Sequence, residues 1–265
     1  MDSSGRHKAI IDKHVTSIEW IRKSLLEMDE LANPVLGINA WDDAVVYDLG
    51  GRRIVASIDG PYKKRLVLKS ALIHAATDVV VKGGKPLFAL EALSGSEEDI
   101  REMLAALKKQ ALEMGIPILG GNTMISEEEA SATITVFGEL VLEKPIRDSG
   151  AKKGDVLLVI GEPLWGEMDE RIAKAKILFS AWYNILGSGI KINSSKDVTK
   201  GGLISAIYEI CKKSKVEFTL EKDVAFSLTR NLDNFLVSVS EKDKKKIKEL
   251  SAKANCPVAR IGRII

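Results

Sequence analysis

The sequence predicts an α+β protein of two domains, and three features carry that expectation. The first half runs hairpin, helix, strand, helix, strand, strand, which suits helices packed on one face of a sheet. A stretch broken by charge, Pro and Gly, "EKPIRDSGAKKGD", then interrupts the pattern. A second set of strand and helix signals follows it. The boundary therefore falls between residues 145 and 146, giving domains 1–145 and 146–265.

Apolar positions Ile10, Ile11, Val15, Ile18, Ile21, Leu25 and Met28 recur with a helical period, predicting a helix over residues 7–31. "AVVYDLGGRRIVASID" reads as two strands around a Gly-Gly turn. Residues 68–82 read as a helix stopped by "GGKP", and "PLFALEAL" as an apolar strand buried on both faces or at a dimer seam. Ser96 with Asp99 opens the next helix as a capping-box variant, and Gly115 closes it. "IPIL" and "SATITVFGELV" are strands, the second with alternating faces. In the second half "VLLVIG" is a buried strand and 167–186 a helix. A polar loop leads to "DVTKGGLISAIYEICKK", where a Gly-Gly turn feeds an amphipathic helix. Strand "NFLVSV", helix 241–254 and strand "VARIGRI" complete the chain.

Composition excludes several classes. With 39 Lys and Arg against 37 Asp and Glu, the net charge of +2 gives no basic field for nucleic acid or an anionic membrane. No apolar run approaches the roughly 20 residues of a membrane span, and the N-terminus lacks the apolar core of a secretory signal. Cys211 and Cys256 are isolated, which argues against a disulfide framework and points to the reducing cytoplasm. Three histidines, His7, His14 and His74, do not make a histidine metal site.

The usual nucleotide-binding signatures, GxxxxGK[ST] and GxGxxG after a strand, are absent. What remains is a set of acids and Gly-rich corners at element ends: Asp42 and Asp43, Asp59, Asp78, "GGNT" (120–123), and Asp197 before Gly201-Gly202. Each also has a structural reading. Asp42 and Asp43 suit a turn before a strand, Asp59-Gly60-Pro61 a turn, "GGNT" another, and Asp197 a helix N-cap. His74, Asp78 and Lys82, spaced i, i+4, i+8, could form an exposed polar stripe with an Asp–Lys pair worth about 0.2–0.5 kcal/mol. Together, however, the acids fit Mg²⁺, which takes hard oxygen ligands from one or two carboxylates and from phosphate. A Gly-Gly turn feeding a helix offers free N–H groups to an anion, so the set suggests Mg-nucleotide binding.

In order and context these motifs resemble the AIR synthase-related superfamily, which includes selenophosphate synthetase and thiamine-monophosphate kinase. "WDDAVVY", "ASID", "TDVVVKGGKPLFAL", "GGNT", "GAKKGDVLLVIG", "DVTKGGL" and "CPVARIGRI" carry the resemblance, from about residue 37 to the C-terminus. It implies a first domain that forms a homodimer through its strands, with ATP along the subunit seam, and a shortened α/β sandwich as second domain. Asp43, Asp59 and Asp78 would hold Mg²⁺ against the phosphates, with Asp42 as helper. Gly120, Gly121, Asn122, Thr123, Thr199, Gly201 and Gly202 would contact the nucleotide. Asp197 and Asp78 are the implied catalytic pair. The implied activity is Mg-ATP-dependent phosphoryl transfer to, or activation of, a small-molecule or enzyme-bound acceptor. A non-catalytic dimeric scaffold and a divergent thiamine-monophosphate kinase are the alternatives.

The chain departs from the family pattern in places. Asn122 stands where the family has an acid, and there is no reactive Cys near the N-terminus or at the C-terminus. Lys63, Lys64 and Arg65 are expected at the solvated surface, and Lys82 is expected to be incidental.

Overall fold

The computed structural model describes residues 3–265, with side chains from Gly5 onward; the first two residues of the expected N-terminal domain lie outside the described residues. The first sheet contains β1 (Val45–Leu49), β2 (Arg52–Lys63), β3 (Gly84–Gly95), β4 (Ile118–Ile125) and β5 (Ser131–Leu140), in the spatial order β1-β2-β5-β3-β4. All neighbours are antiparallel except β3 and β4. The β1–β2 hairpin turns on Gly50 and Gly51, both at positive φ, the backbone that a two-residue hairpin turn demands. Helices α4 (Lys64–Val81) and α5 (Glu97–Met114) cover one face of this sheet, above Val55, Ala89, Ile134 and Val136.

The opposite face is open and apolar. Val45, Ala56, Phe137 and Phe88 lie in register across β1, β2, β5 and β3, with Phe88 and Phe137 stacked at 5.0 Å. Ile58, Thr135 and Leu90 form a second row, and Ile58 is 69% exposed. The alternation of β5 residues matches its predicted two-faced pattern. β3 is buried on one face only within a single chain.

The second sheet has the order β7-β9-β6-β10-β8, from β6 (Val156–Ile160), β7 (Ile192–Asp197), β8 (Phe218–Leu220), β9 (Phe235–Val239) and β10 (Val258–Ile264). β6 and β9 are buried throughout, because helices cover both faces. One face packs on α6 (Met168–Gly187) and α8 (Lys244–Ala252), the other on α7 (Gly202–Ser214). β7 was not expected: "INSSKD" has little strand propensity, and pairing with β9 together with buried side-chain hydrogen bonds overrides it. The first 32 residues also differ from expectation. One long helix is replaced by α1 (Ser3–His14), α2 (Glu19–Leu25) and α3 (Met28–Ala32), whose Trp20 and Leu31 remain exposed.

α4 is the pivot. It touches β2 and β5 on one side and α6 and β7 on the other, so it is buried around most of its circumference. Ser70 breaks its helical backbone, and Gln110 of α5 spans the break, donating to Val67 O at 2.8 Å and accepting from Leu72 N at 3.1 Å. At its far end Trp182 Nε1 donates to Val80 O at 2.7 Å, a last-turn carbonyl that also accepts from Gly83 N at 3.0 Å. Gly83, at φ +87°, then turns the chain into β3.

Lys82 sits at this corner with no exposure. Its ammonium donates to Asp148 and to Ser195 O (2.5 Å) and lies 3.1 Å from Asp43 Oδ2. Around it, Lys196 pairs with Asp43, and Lys213 with Asp148 (2.5 Å) and Asp42 (3.2 Å). Burial opposes charge on Asp148, but Lys196, Lys82 and Lys213 hold its carboxyl well below the usual range. Lys82 is therefore structural and not incidental. Removing one member of such a buried set strands the others, so Lys82→Met is expected to lower unfolding stability by about 3–5 kcal/mol in urea denaturation. A loss below about 1 kcal/mol would show that the remaining lysines compensate.

Candidate functional site

Three acids from three separate elements converge. Asp43 comes from the loop before β1, Asp78 from α4 and Asp197 from the end of β7, and one carboxylate oxygen of each lies within 4.8 Å of the others. Asp78 Oδ2 accepts a hydrogen bond from Ser57 Oγ of β2 at 2.7 Å, and Asp197 Oδ2 one from Thr77 Oγ1 at 3.2 Å. Asp197 ends its strand and does not cap α7; Gly201 occupies the N-cap position. Nor does Asp78 lie on an exposed stripe with Lys82. The helix that bears Asp78 is buried, and Lys82, its C-cap, points to Asp43 and Asp148.

These acids line a cavity of about 790 Å³ together with Asp59, Tyr62, His74, Thr199, Lys200 and Asn231. Asp59 is oriented by its own strand, at the irregularity of β2 between Asp59 and Tyr62, accepting from Gly60 N (2.9 Å) and from the Tyr62 hydroxyl. Lys63, Lys64 and Arg65, expected at the surface, line this cavity where β2 passes into α4, although Lys63 is paired with Glu129 (3.0 Å) and Lys64 with Asp99 (2.7 Å). A smaller cavity of about 200 Å³ adjoins it at Asp43, Asp197, Thr199 and Lys200; Gly202, Lys196, His14 and Trp41 also line it.

Gly201 and Gly202 both have positive φ, and a Cβ on Gly202 would meet Leu228 O at 2.7 Å, so the turn requires glycine. Its amides are less available than the sequence suggested: Gly202 N donates to Thr199 O and Ile204 N to Leu228 O. Two further expectations are displaced. Asp42 is outside the acid cluster, its carboxylate held by Arg147 Nε (3.1 Å), Asp148 N (3.1 Å) and Lys213 Nζ (3.2 Å). "GGNT" does not follow a strand but lies inside β4, the exposed edge of the first sheet, and Gly120, Gly121, Asn122 and Thr123 line neither cavity. The apolar–glycine–polar run there reads as a turn, yet parallel pairing with β3 keeps it extended.

Sequence reasoning passed over one pair. His74 Nδ1 lies 2.9 Å from Asp233 Oδ1, both buried, and the His74 ring is 5.7 Å from that of Tyr62. Burial pulls the His74 pKa down, but Asp233, together with the charges of Asp59 and Asp197, leaves the group above its ordinary value. The i, i+4 spacing to Asp78 was the one available signal; Asp233 is remote in sequence.

The cluster carries more negative charge than its surroundings stabilise. Burial, then the charges of Asp197, Asp43 and Asp59, push the Asp78 carboxyl well up, against the Ser57 hydrogen bond. Burial, then Asp43, pushes Asp197 up to about 8, against Lys196. Hard carboxylate oxygens converging in this state suit a divalent cation such as Mg²⁺, which would relieve the repulsion.

The chain belongs to the AIR synthase-related family. Residues 41–140 match the family's N-terminal domain and residues 178–265 its C-terminal domain. An uncharacterised protein of Methanocaldococcus jannaschii is 39% identical over 257 residues, 96% of this chain and 86% of that one. A putative hydrogenase expression/formation protein of the same organism is 27% identical, covering 77% of this chain and 69% of that one. The selenide, water dikinase of Myxococcus xanthus is 30% identical, covering 71% of this chain and 60% of that one. Among solved structures, Thermotoga maritima PurL complexed with ATP superposes with TM-score 0.72 at 15% identity, over 98% of this chain and 50% of that one. The HypE–HypF complex superposes with TM-score 0.67 at 20% identity, over 91% and 92%. This chain thus spans about half of PurL and three fifths of that dikinase.

The raised acids have a measurable consequence. A carboxyl whose folded pKa exceeds its unfolded value binds more protons when folded, so metal-free stability falls as pH rises from the ordinary 3.8 toward about 8. In EDTA the melting temperature is expected to fall between about pH 6 and 8, as the unfolding free energy drops by at most about 1.4 kcal/mol per pH unit for each such group. Millimolar Mg²⁺ should flatten that slope; an unchanged slope would count against a cation among these acids.

Proposed function

We propose that this protein is an Mg²⁺-dependent, ATP-using phosphotransferase or synthetase that works as a homodimer, with an acceptor not yet identified. The convergence of Asp43, Asp78 and Asp197 on the wall of a cavity of nucleotide-scale volume carries the reading. Support comes from its membership of a family with a dikinase relative and from a fold shared with a protein solved with ATP.

Asp78 and Asp197, with Asp43 beside them and Asp59 on the same wall, would hold Mg²⁺, which when bound neutralises phosphate charge during transfer. Thr199 and Lys200 face the same space from the second sheet, and Lys63, Lys64 and Arg65 add basic side chains where α4 begins. His74, held through Nδ1 by Asp233, leaves Nε2 as the ring nitrogen for a group bound in the cavity. In this reading the β1–β2–β5–β3 face is the subunit seam, since Phe88, Phe137, Ile58 and Leu90 form apolar rows that a second copy would cover. A dimer also gives "GGNT" a route to a nucleotide, which it lacks within one chain. Domains of 1–145 and 146–265 remain our reading of the boundary.

Two measurements test this. Calorimetry with millimolar nucleotide is expected to show ATP binding that requires Mg²⁺ and is weakened at least about tenfold in Asp78→Asn, with the fold retained by circular dichroism; Mg-independent or absent binding would sink the assignment. Light scattering should give a dimer for the natural protein and a monomer for Phe137→Asp, because a charge in the seam loses its hydration without a partner. A natural protein that is monomeric at micromolar concentration would remove the proposed seam.

A further inference from the structure

Both oxygens of Asp43 already face an ammonium group, although Oδ2 accepts no hydrogen bond. Lys196 donates to Oδ1, and Lys82 Nζ lies 3.1 Å from Oδ2. Neither lysine is free to leave. Lys82 is wholly buried and is also bonded to Asp148 and Ser195 O. Lys196, with its side chain 11% exposed, lies 3.5 Å from both Asp148 Oδ2 and Glu209 Oε2. A divalent cation ligated by Asp43 at about 2.1 Å would sit within a few ångströms of two ammonium groups, with little water between them.

The other two acids are in the opposite condition. Asp78 accepts from the hydroxyl of Ser57 and Asp197 from that of Thr77, the two carboxyls also lie in hydrogen-bonding contact with each other, and no lysine or arginine forms an ion pair with either among the described residues. Asp197 is 1% exposed yet lines both cavities, so its carboxyl is a buried group on the wall of the ligand space. One or two carboxylates, completed by phosphate oxygens and water, is the usual protein share for one Mg²⁺.

We infer that this chain replaces one of the cations a phosphate-clamping acid cluster would otherwise hold with the fixed ammonium of Lys196, so that a single divalent ion sits on Asp78 and Asp197. This rests on the Mg-ATP reading above and narrows it. Lys196 lines the smaller cavity beside Gly202 and Thr199, where its charge adds to the attraction for phosphate without requiring an ion. Lys82 anchors the far side of Asp43 and positions it; it does not line either cavity at the acids.

The test is a count. Mn²⁺ replaces Mg²⁺ as the probe, and electron paramagnetic resonance reads free Mn²⁺ against the whole protein saturated with β,γ-imido-ATP. One Mn²⁺ per chain is the expected result for the natural protein. Two or more would overturn the single-ion inference while leaving the Mg-ATP reading in place. No bound Mn²⁺ would overturn that reading and this inference with it. In Lys196→Met, which frees one oxygen of Asp43, the count is expected to rise to two; a folded variant that stays at one would overturn the stand-in role of the lysine. If that variant does not fold, the count on the natural protein still decides.

Discussion

The ammonium of Lys82, buried without exposure at the end of α4, is the interaction on which the rest of the structure depends. It touches the loop before β1 through Asp43, the segment between the sheets through Asp148 and the β7 backbone through Ser195. A charge in that position is tolerable only if every partner stays in place, because a stranded buried ion costs far more than the pair contributes. The two sheets and the intervening segment are therefore held in one relation around a single side chain. Lys196 and Lys213 extend the same constraint to β7 and α7.

That constraint explains why the acids can gather. Asp43, Asp78 and Asp197 would separate if their elements were free, since burial and mutual repulsion raise the energy of their charged forms. Here α4 is fixed by Gln110 across its break and by Trp182 at its end, so Asp78 cannot retreat. A cation would relieve the stored repulsion, and the ammonium groups of Lys196 and Lys82 beside Asp43 would compete with it for that carboxylate. Stability and site chemistry meet in the same few residues.

The open face of the first sheet shows a second economy. Its inner side chains close over α4 and α5, while its outer rows of aromatic and aliphatic residues are only flanked, by Ile38 and Trp41, and stay partly exposed among the described residues. The continuous apolar run "PLFALEAL" foreshadowed this, because a strand that is half solvated would normally alternate with polar residues. The exposed "GGNT" strand lies at the edge of that same sheet, so one packing event would cover the face and bring polar edge groups toward a neighbour.

Most element types were legible in the sequence, because hydrophobic period and Gly, Pro and Ser punctuation are local properties. The hairpin at Gly50-Gly51, the Ser96 cap, the Gly115 stop and the buried strand at 156–160 all follow from neighbours a few residues apart. The order of acidic motifs likewise sufficed to identify the family and to name Asp42, Asp43, Asp59, Asp78 and Asp197 as the candidate site acids, without telling which of them converge. Only the tertiary structure decided which acids meet, that Asp42 is claimed by Arg147 and Lys213, and that β7 is a strand despite its polar composition. It alone revealed Lys82 as a hub and His74 as the partner of Asp233. The reason is physical: the pairing of a buried charge depends on what the fold brings within about 3–4 Å, and those partners lie far away along the chain.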